Sequence, residues 1–119
     1  MGTILVVDDE PDLRFLLHRI FVKAGHEVAE AGNGEVALDA VRHAPPDLVV
    51  TDVMMPVMGG VELIRRLRAD PATASIPILS VSADWQLAVE ADAALAKPYQ
   101  RAEVLAAAER LLQEGRQAS

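Results

Sequence analysis

Residues 3–12 read TILVVDDEPD, and the reading of this stretch decides the fold. Thr3 to Val7 is short, β-branched and apolar, with no polar alternation, which is the pattern of a strand buried on both faces. Asp8 and Asp9 close the run, and Pro11 suits the first turn of a helix. Leu13, Leu16, Leu17, Ile20, Phe21 and Ala24 then recur at helical spacing, and Gly25 is a natural stop. A buried strand that delivers carboxylates into a loop and then a helix is the opening of an alternating α/β chain.

The rest of the chain repeats the pattern. Residues 26–31 read as a weaker strand. Residues 34–43 read as a helix with Val36, Ala37, Ala40 and Val41 inward, ended by Pro45-Pro46. Residues 47–52 (DLVVTD) form a second clear buried strand. A loop marked by Pro56 and Gly59-Gly60 leads to a helix over 61–69, with Leu63, Ile64 and Leu67 inward. Residues 76–82 (IPILSVS) read as a strand with Pro77 near its start. Residues 92–96 read as a last short strand, and 101–113 as a helix with Val104, Leu105, Ala108, Leu111 and Leu112 on one side. Strands separated by helical crossovers pair in parallel. Five such units predict a five-stranded parallel sheet with helices on both faces.

Composition narrows the function. The chain has 119 residues, 51% of them hydrophobic, so it is expected to form one domain over residues 1–119 with a real core. It has no cysteine, which excludes disulfides, thiolate zinc sites and cysteine nucleophiles. No apolar run is long enough to span a membrane, and no secretory signal opens the chain, so a cytoplasmic protein is expected. The net charge of −7 disfavours direct nucleic-acid binding, which depends on neutralising phosphates.

In a parallel α/β sheet, ligands bind at the carboxyl ends of the strands. Four strand ends carry polar residues here: Asp8-Asp9, Asp52, Ser82 and Lys97. Taken singly, each has a plain structural explanation. Asp-Asp after a strand caps a helix, Asp52 suits a turn, Ser82 suits a strand end, and Lys97-Pro98 means little. Taken together, in order at one sheet edge, they make three carboxylates, a hydroxyl and an ammonium. Clustered carboxylates need a cation, and Mg²⁺ is bound through one or two carboxylates plus water. Metal, lysine and hydroxyl suit a tetrahedral anion in transfer, and an aspartate can serve as nucleophile to give an aspartyl-phosphate.

On these residues the chain resembles the receiver domain of two-component response regulators. The resemblance runs from Ile4 to about Gln113. It rests on Val6-Val7-Asp8-Asp9-Glu10, on residues 47–60 around Asp52, on residues 76–83 ending in Ser82-Ala83, and on Leu95-Ala-Lys97-Pro98-Tyr99. It implies a doubly wound, flavodoxin-like sheet. It implies Asp52 as the acceptor of a phosphoryl group from a histidine kinase or histidine phosphotransfer protein. Asp8, Asp9, Asp52 and the backbone carbonyl of Met54 are the implied Mg²⁺ ligands, Asp8 mainly through a coordinated water. Lys97 and Ser82 are the implied partners of the phosphoryl group, and Lys97-Pro98 is the bond that members usually hold in cis. Such a domain catalyses only its own phosphorylation and dephosphorylation, and signals by changed contacts with a downstream protein. Positions Met54 and Asp84 are the ones implied to influence the phosphate's lifetime.

Two departures stand out. Ala94 occupies the place where members often carry the aromatic that swings inward on activation; Tyr99 and Trp85 are expected simply to pack. Residues 83–91 leave room for at most about two helical turns before the last strand, so a shortened or missing fourth helix is expected, mobile or held by a partner. His18, His26 and His43 show no ligand spacing and are expected at the surface. Met54, Met55 and Met58 are expected to pack in the core or loop. No output domain is expected, since the sequence stops just after the last helix. Two other readings compete: an interaction module with a degenerate site, and a Mg²⁺-dependent phosphatase using an aspartyl-phosphate. Against the phosphatase, Asp52 is followed by Val53 and Met54 rather than by an Asp-x-Asp motif.

Overall fold

The computed structural model describes residues 2–53, 55, 57–82 and 91–115. Five strands are present: β1 (Thr3–Val7), β2 (Glu27–Ala31), β3 (Leu48–Asp52), β4 (Ile78–Ser82) and β5 (Ala93–Ala96). Four helices are described: α1 (Pro11–Lys23), α2 (Gly34–His43), α3 (Gly60–Ala69) and α4 (Arg101–Glu114). The strands form one sheet in the order β2-β1-β3-β4-β5, and every pair is parallel. This is the doubly wound, flavodoxin-like arrangement. The expectation of a shortened fourth helix covers residues 83–91, of which 83–90, with Asp84 and Trp85, lie outside the described residues.

The most apolar strands, β1, β3 and β4, sit in the middle of the sheet, as two-sided burial demands. Ile4 to Val7, Leu48 to Val50 and the apolar residues of β4 are all buried. Their side chains alternate between two cores. On one face, Leu5, Val7, Val49 and Ile78 pack under α2 and α3 through Ala37, Val41, Leu63 and Leu67. On the other, Ile4, Val6, Val50 and Leu79 pack under α1 and α4 through Leu17, Phe21, Val104 and Leu111. The outer strand β2 (EVAEA) is mostly exposed, and its glutamates blunt an otherwise open edge.

Some inward faces differ from those read in the sequence. Leu16 and Val36 are about half exposed, and Leu38 is buried where Val36 was expected. The apolar stripe of a helix is wider than the strip that the sheet covers, so spacing alone leaves its edges undecided. His26 is also a correction. It is buried, its Nδ1 accepts the Gly2 backbone N–H at 3.1 Å, and its Nε2 lies 2.5 Å from Glu109 Oε1. His43 is exposed, and His18 is half-buried beside Glu30.

The β3–α3 connection is set by a close approach. A Cβ built on Gly60 would lie 2.1 Å from the Asp52 carbonyl oxygen and 2.7 Å from the Val53 Cα. Gly60 also donates its N–H to the Val53 carbonyl at 2.8 Å. Gly60→Ala is therefore expected to push α3 off the end of β3 and cost about 3 kcal/mol. Denaturant unfolding checks this; a loss below about 0.5 kcal/mol would contradict the packing.

Candidate phosphoryl-transfer site

The carboxyl ends of β1, β3, β4 and β5 meet at one edge, and the sheet register brings their polar residues together. Asp8 follows β1, and its N–H donates to the Ala31 carbonyl at 3.2 Å. Its Oδ1 accepts the Glu10 N–H at 2.9 Å, which turns the chain into α1. Asp52 is the last residue of β3 and sits opposite Val81 of β4. Ser82 ends β4, and its carbonyl accepts the Lys97 N–H at 2.9 Å, so the serine and lysine are neighbours on adjacent strand ends. The Lys97-Pro98 bond is cis.

The side chains converge. Oxygens of Asp8, Asp9 and Asp52 lie within 4.8 Å of one another. Lys97 Nζ donates to Asp52 Oδ2 at 2.8 Å and stands 3.8 Å from Asp8 Oδ2. Asp8 and Ser82 are buried and Asp52 nearly so, whereas Asp9 is exposed. The cluster is thus closed toward the core and open on the Asp9 side. Met54 lies outside the described residues. Ala94 is exposed, and Tyr99 packs half-buried against the core shared by α1 and α4. Met55 and Met58 pack against the opposite core.

The electrostatics follow from this crowding. Burial pushes the Asp8 carboxyl up from 3.8; the Glu10 N–H and Lys97 pull it down, and Asp52 and Asp9 push it up again. Burial pulls the Lys97 ammonium down, but the bond to Asp52 and the charges of Asp52 and Asp8 outweigh it, so its proton is held more tightly overall. Burial likewise raises the Tyr99 phenol, which stays neutral.

The residues present fit a hard divalent cation. Asp8 Oδ2 is buried and has no hydrogen-bond partner, although it faces the other carboxylates. A buried oxygen without a hydrogen bond is costly, and a cation at the cluster would add to the distant Lys97 contact in satisfying it. Asp8→Asn removes one of the repelling charges and keeps an acceptor for Glu10. It is expected to raise the melting temperature in EDTA at pH 7. An acid whose folded pKa is raised costs stability above that value and ceases to do so below its unfolded value. Metal-free wild type should therefore gain stability as pH falls through the raised Asp8 value toward 3.8, and Asp8→Asn should lose that gain. Melting curves across pH test both; an equal or lower melting temperature for the variant would count against a cost of burying this charge among its acidic neighbours.

Among the described residues of the loop beside the site, Val57 is strained. Val57 has φ of 70° and is 77% exposed. A β-branched residue in the left-handed region costs about 1–2 kcal/mol, and nothing is gained from burying it. Val57→Asn is expected to stabilise by about 1 kcal/mol in thermal unfolding, since Asn tolerates that conformation. A fall in melting temperature would show that the side chain has a role the backbone does not reveal.

Two features were missed in the sequence. Arg14 reaches the Asp8 carbonyl through Nη1 at 2.8 Å. Arg68 and Asp92 form a buried ion pair at 2.5 Å at the far end of the sheet. Neither spacing is a motif; the partners are distant in sequence or one is a backbone atom.

The chain is similar to known proteins in sequence and in fold. Residues 4–109 match the model of the family described as "Response regulator receiver domain". The chain is 37% identical over 111 residues to the phosphate regulon transcriptional regulatory protein PhoB of Pseudomonas aeruginosa, covering 87% of this chain and 48% of PhoB. It is 34% identical over 110 residues to the chemotaxis protein CheY of Thermotoga maritima, covering 87% of this chain and 92% of that protein. The solved chemotaxis response regulator CheY4 of Vibrio cholerae superposes with a TM-score of 0.86 at 31% identity, over 93% of this chain and 98% of that one. The chain thus spans nearly all of one kind of relative but about half the length of PhoB.

Proposed function

The chain belongs to the response regulator receiver domain family, and from that premise we propose that it is a phosphorylation-dependent signalling switch. We take residues 1–119 as a single receiver domain that accepts a phosphoryl group on Asp52. The donor is a histidine kinase or a histidine phosphotransfer protein. One observation carries the reading: the Lys97 ammonium is bonded to Asp52 at 2.8 Å, beside a buried Asp8 oxygen with no hydrogen-bond partner of its own.

Asp52 is the nucleophile. A carboxylate oxygen of its side chain forms the bond to phosphorus as the donor's P–N bond breaks, and the electron pair leaves with the imidazole. Lys97 holds the carboxylate in place, then transfers its contact to the phosphoryl oxygens. Ser82 supplies a hydroxyl donor to the same oxygens. Asp8, Asp9 and Asp52, with the Met54 carbonyl, would hold Mg²⁺, which neutralises charge on the transferring phosphoryl group. The new charge and acceptor oxygens favour a different arrangement of the loops at this edge, and the altered surface is what a downstream protein reads. Hydrolysis of the acyl phosphate resets the switch, so the domain catalyses only its own phosphorylation and dephosphorylation. With a net charge of −7 it acts through proteins rather than by direct contact with nucleic acid. A cytoplasmic location suits these partners; among the described residues no helix is long and apolar enough to cross a membrane.

The test is intact mass after incubation with a small phosphodonor and Mg²⁺. A gain of one phosphoryl group, roughly 80 Da, that is lost with EDTA supports the reading. No adduct, together with no response to a stable phosphoryl mimic, leaves the degenerate interaction module in its place.

A further inference from the structure

The loop that carries Asp8 and Asp9 is held from behind by a side chain outside the carboxylate cluster. Arg14 lies in the first turns of α1. Its Nη1 donates to the Asp8 carbonyl at 2.8 Å, and its Nε donates to Glu30 Oε1 at 2.9 Å. Glu30 sits near the end of the outer strand β2, opposite Val6 of β1. Its other oxygen lies 2.7 Å from His18 Nδ1 on α1. The Arg14 and Glu30 side chains are only 23% and 32% exposed. The guanidinium therefore ties α1 and β2 to one peptide group, the one joining the two aspartates.

We infer that Arg14 is the positioning residue of the site: by gripping the Asp8 carbonyl it fixes the Asp8-Asp9 peptide so that both carboxylates face Asp52, and Glu30 sets the orientation of Arg14. The inference deepens the phosphoryl-transfer reading and rests on it. Every other hydrogen-bonding group of Asp8 is already committed. Its N–H goes to Ala31 and its Oδ1 to Glu10, leaving Oδ2 to face the cluster. Rotation of the peptide at the carbonyl would carry the Asp9 carboxylate away from the cluster and displace the Glu10 N–H that holds Asp8 Oδ1. A planar fork donates to a carboxylate and a carbonyl along fixed directions, whereas an ammonium on a flexible stem fixes neither direction. Partners that orient metal ligands from behind commonly govern affinity by tenfold or more.

The test is Mg²⁺ affinity by titration calorimetry on the full chain, with phosphorylation rate as a function of Mg²⁺ alongside. Arg14→Met is expected to weaken Mg²⁺ binding by about tenfold. Its phosphorylation rate should approach the wild-type rate when Mg²⁺ is raised to saturation. Arg14→Lys should fail to restore affinity, since charge without the fork is not what the site needs. Glu30→Gln should weaken binding by about threefold, less than the tenfold for loss of the orienting partner itself, because the amide oxygen can still accept from Arg14. If Arg14→Met is unfolded by circular dichroism in EDTA, Arg14→Lys and Glu30→Gln decide the matter. Affinity within twofold of wild type in the folded variants, or full rescue by Lys, overturns the positioning role and leaves the function standing. A wild-type chain that neither binds Mg²⁺ nor takes up phosphoryl groups overturns the function itself.

Discussion

Asp52→Asn is expected to fold normally and to lose phosphoryl uptake by at least about a thousandfold, because an amide oxygen is a poor nucleophile and forms no stable acyl phosphate. The substitution is nearly isosteric. The amide oxygen it introduces can still accept from Lys97, whose Nζ lies 2.8 Å from the present carboxylate and 3.8 Å from Asp8. One of three crowded carboxylates is removed, so the metal-free protein should melt no lower than wild type. Mg²⁺ binding should weaken as well, because one of the cluster's three carboxylates has gone. The separation matters: a variant that is folded yet unreactive assigns the chemistry to this carboxylate. Uptake above about a tenth of the wild-type level, in the folded variant, would move the acceptor elsewhere.

The second large effect is structural and lies at the opposite end of the sheet. Arg68, on the last turn of α3, donates to the carbonyls of Ala74 and Ile76 at 3.0 and 2.7 Å and pairs with Asp92 at 2.5 Å. The same Asp92 oxygen accepts the Ile78 N–H at 2.7 Å. The two side chains are 5% and 9% exposed. One guanidinium thus closes the α3–β4 loop and ties the entry of β4 to that of β5. Arg68→Ala leaves a buried carboxylate without its cation and takes a donor from two carbonyls. The expected loss is about 3–5 kcal/mol, or more than about 10 °C in melting temperature. The double variant Arg68→Ala/Asp92→Ala should lose less than the sum of the single losses, since the partners share one interaction. A loss under about 1 kcal/mol for Arg68→Ala would mean that solvent reaches the pair and replaces the arginine.

Much of this was legible because two-sided burial leaves little freedom in sequence. The central strands β1, β3 and β4 are apolar runs, and each begins or ends within two residues of its expected limits. Gly25 follows the end of α1 as read, with a positive φ of 97°. Asp8, Asp9, Asp52, Ser82 and Lys97 converge because parallel strands put all their carboxyl ends on one edge. Other features required the third dimension. His26 has no partner at local spacing, and becomes a buried residue only when α4 brings Glu109 to it. Asp92 reads as the first residue of a strand, but β5 starts at Ala93 because the Asp92 carboxylate is turned to Ile78 and Arg68. Arg14 contacts a carbonyl, and a carbonyl has no sequence signature. The departure at Ala94 was visible directly, and that residue is exposed.

The acceptor residue itself is the most direct test of the account. The phosphorylated wild-type chain is treated with borohydride, which reduces an acyl phosphate to an alcohol, and the peptides are sequenced by mass spectrometry. The account predicts homoserine at position 52, with aspartate unchanged at positions 8 and 9. Reduction at position 8 or 9, or a phosphoryl group that survives borohydride on another residue, would contradict it.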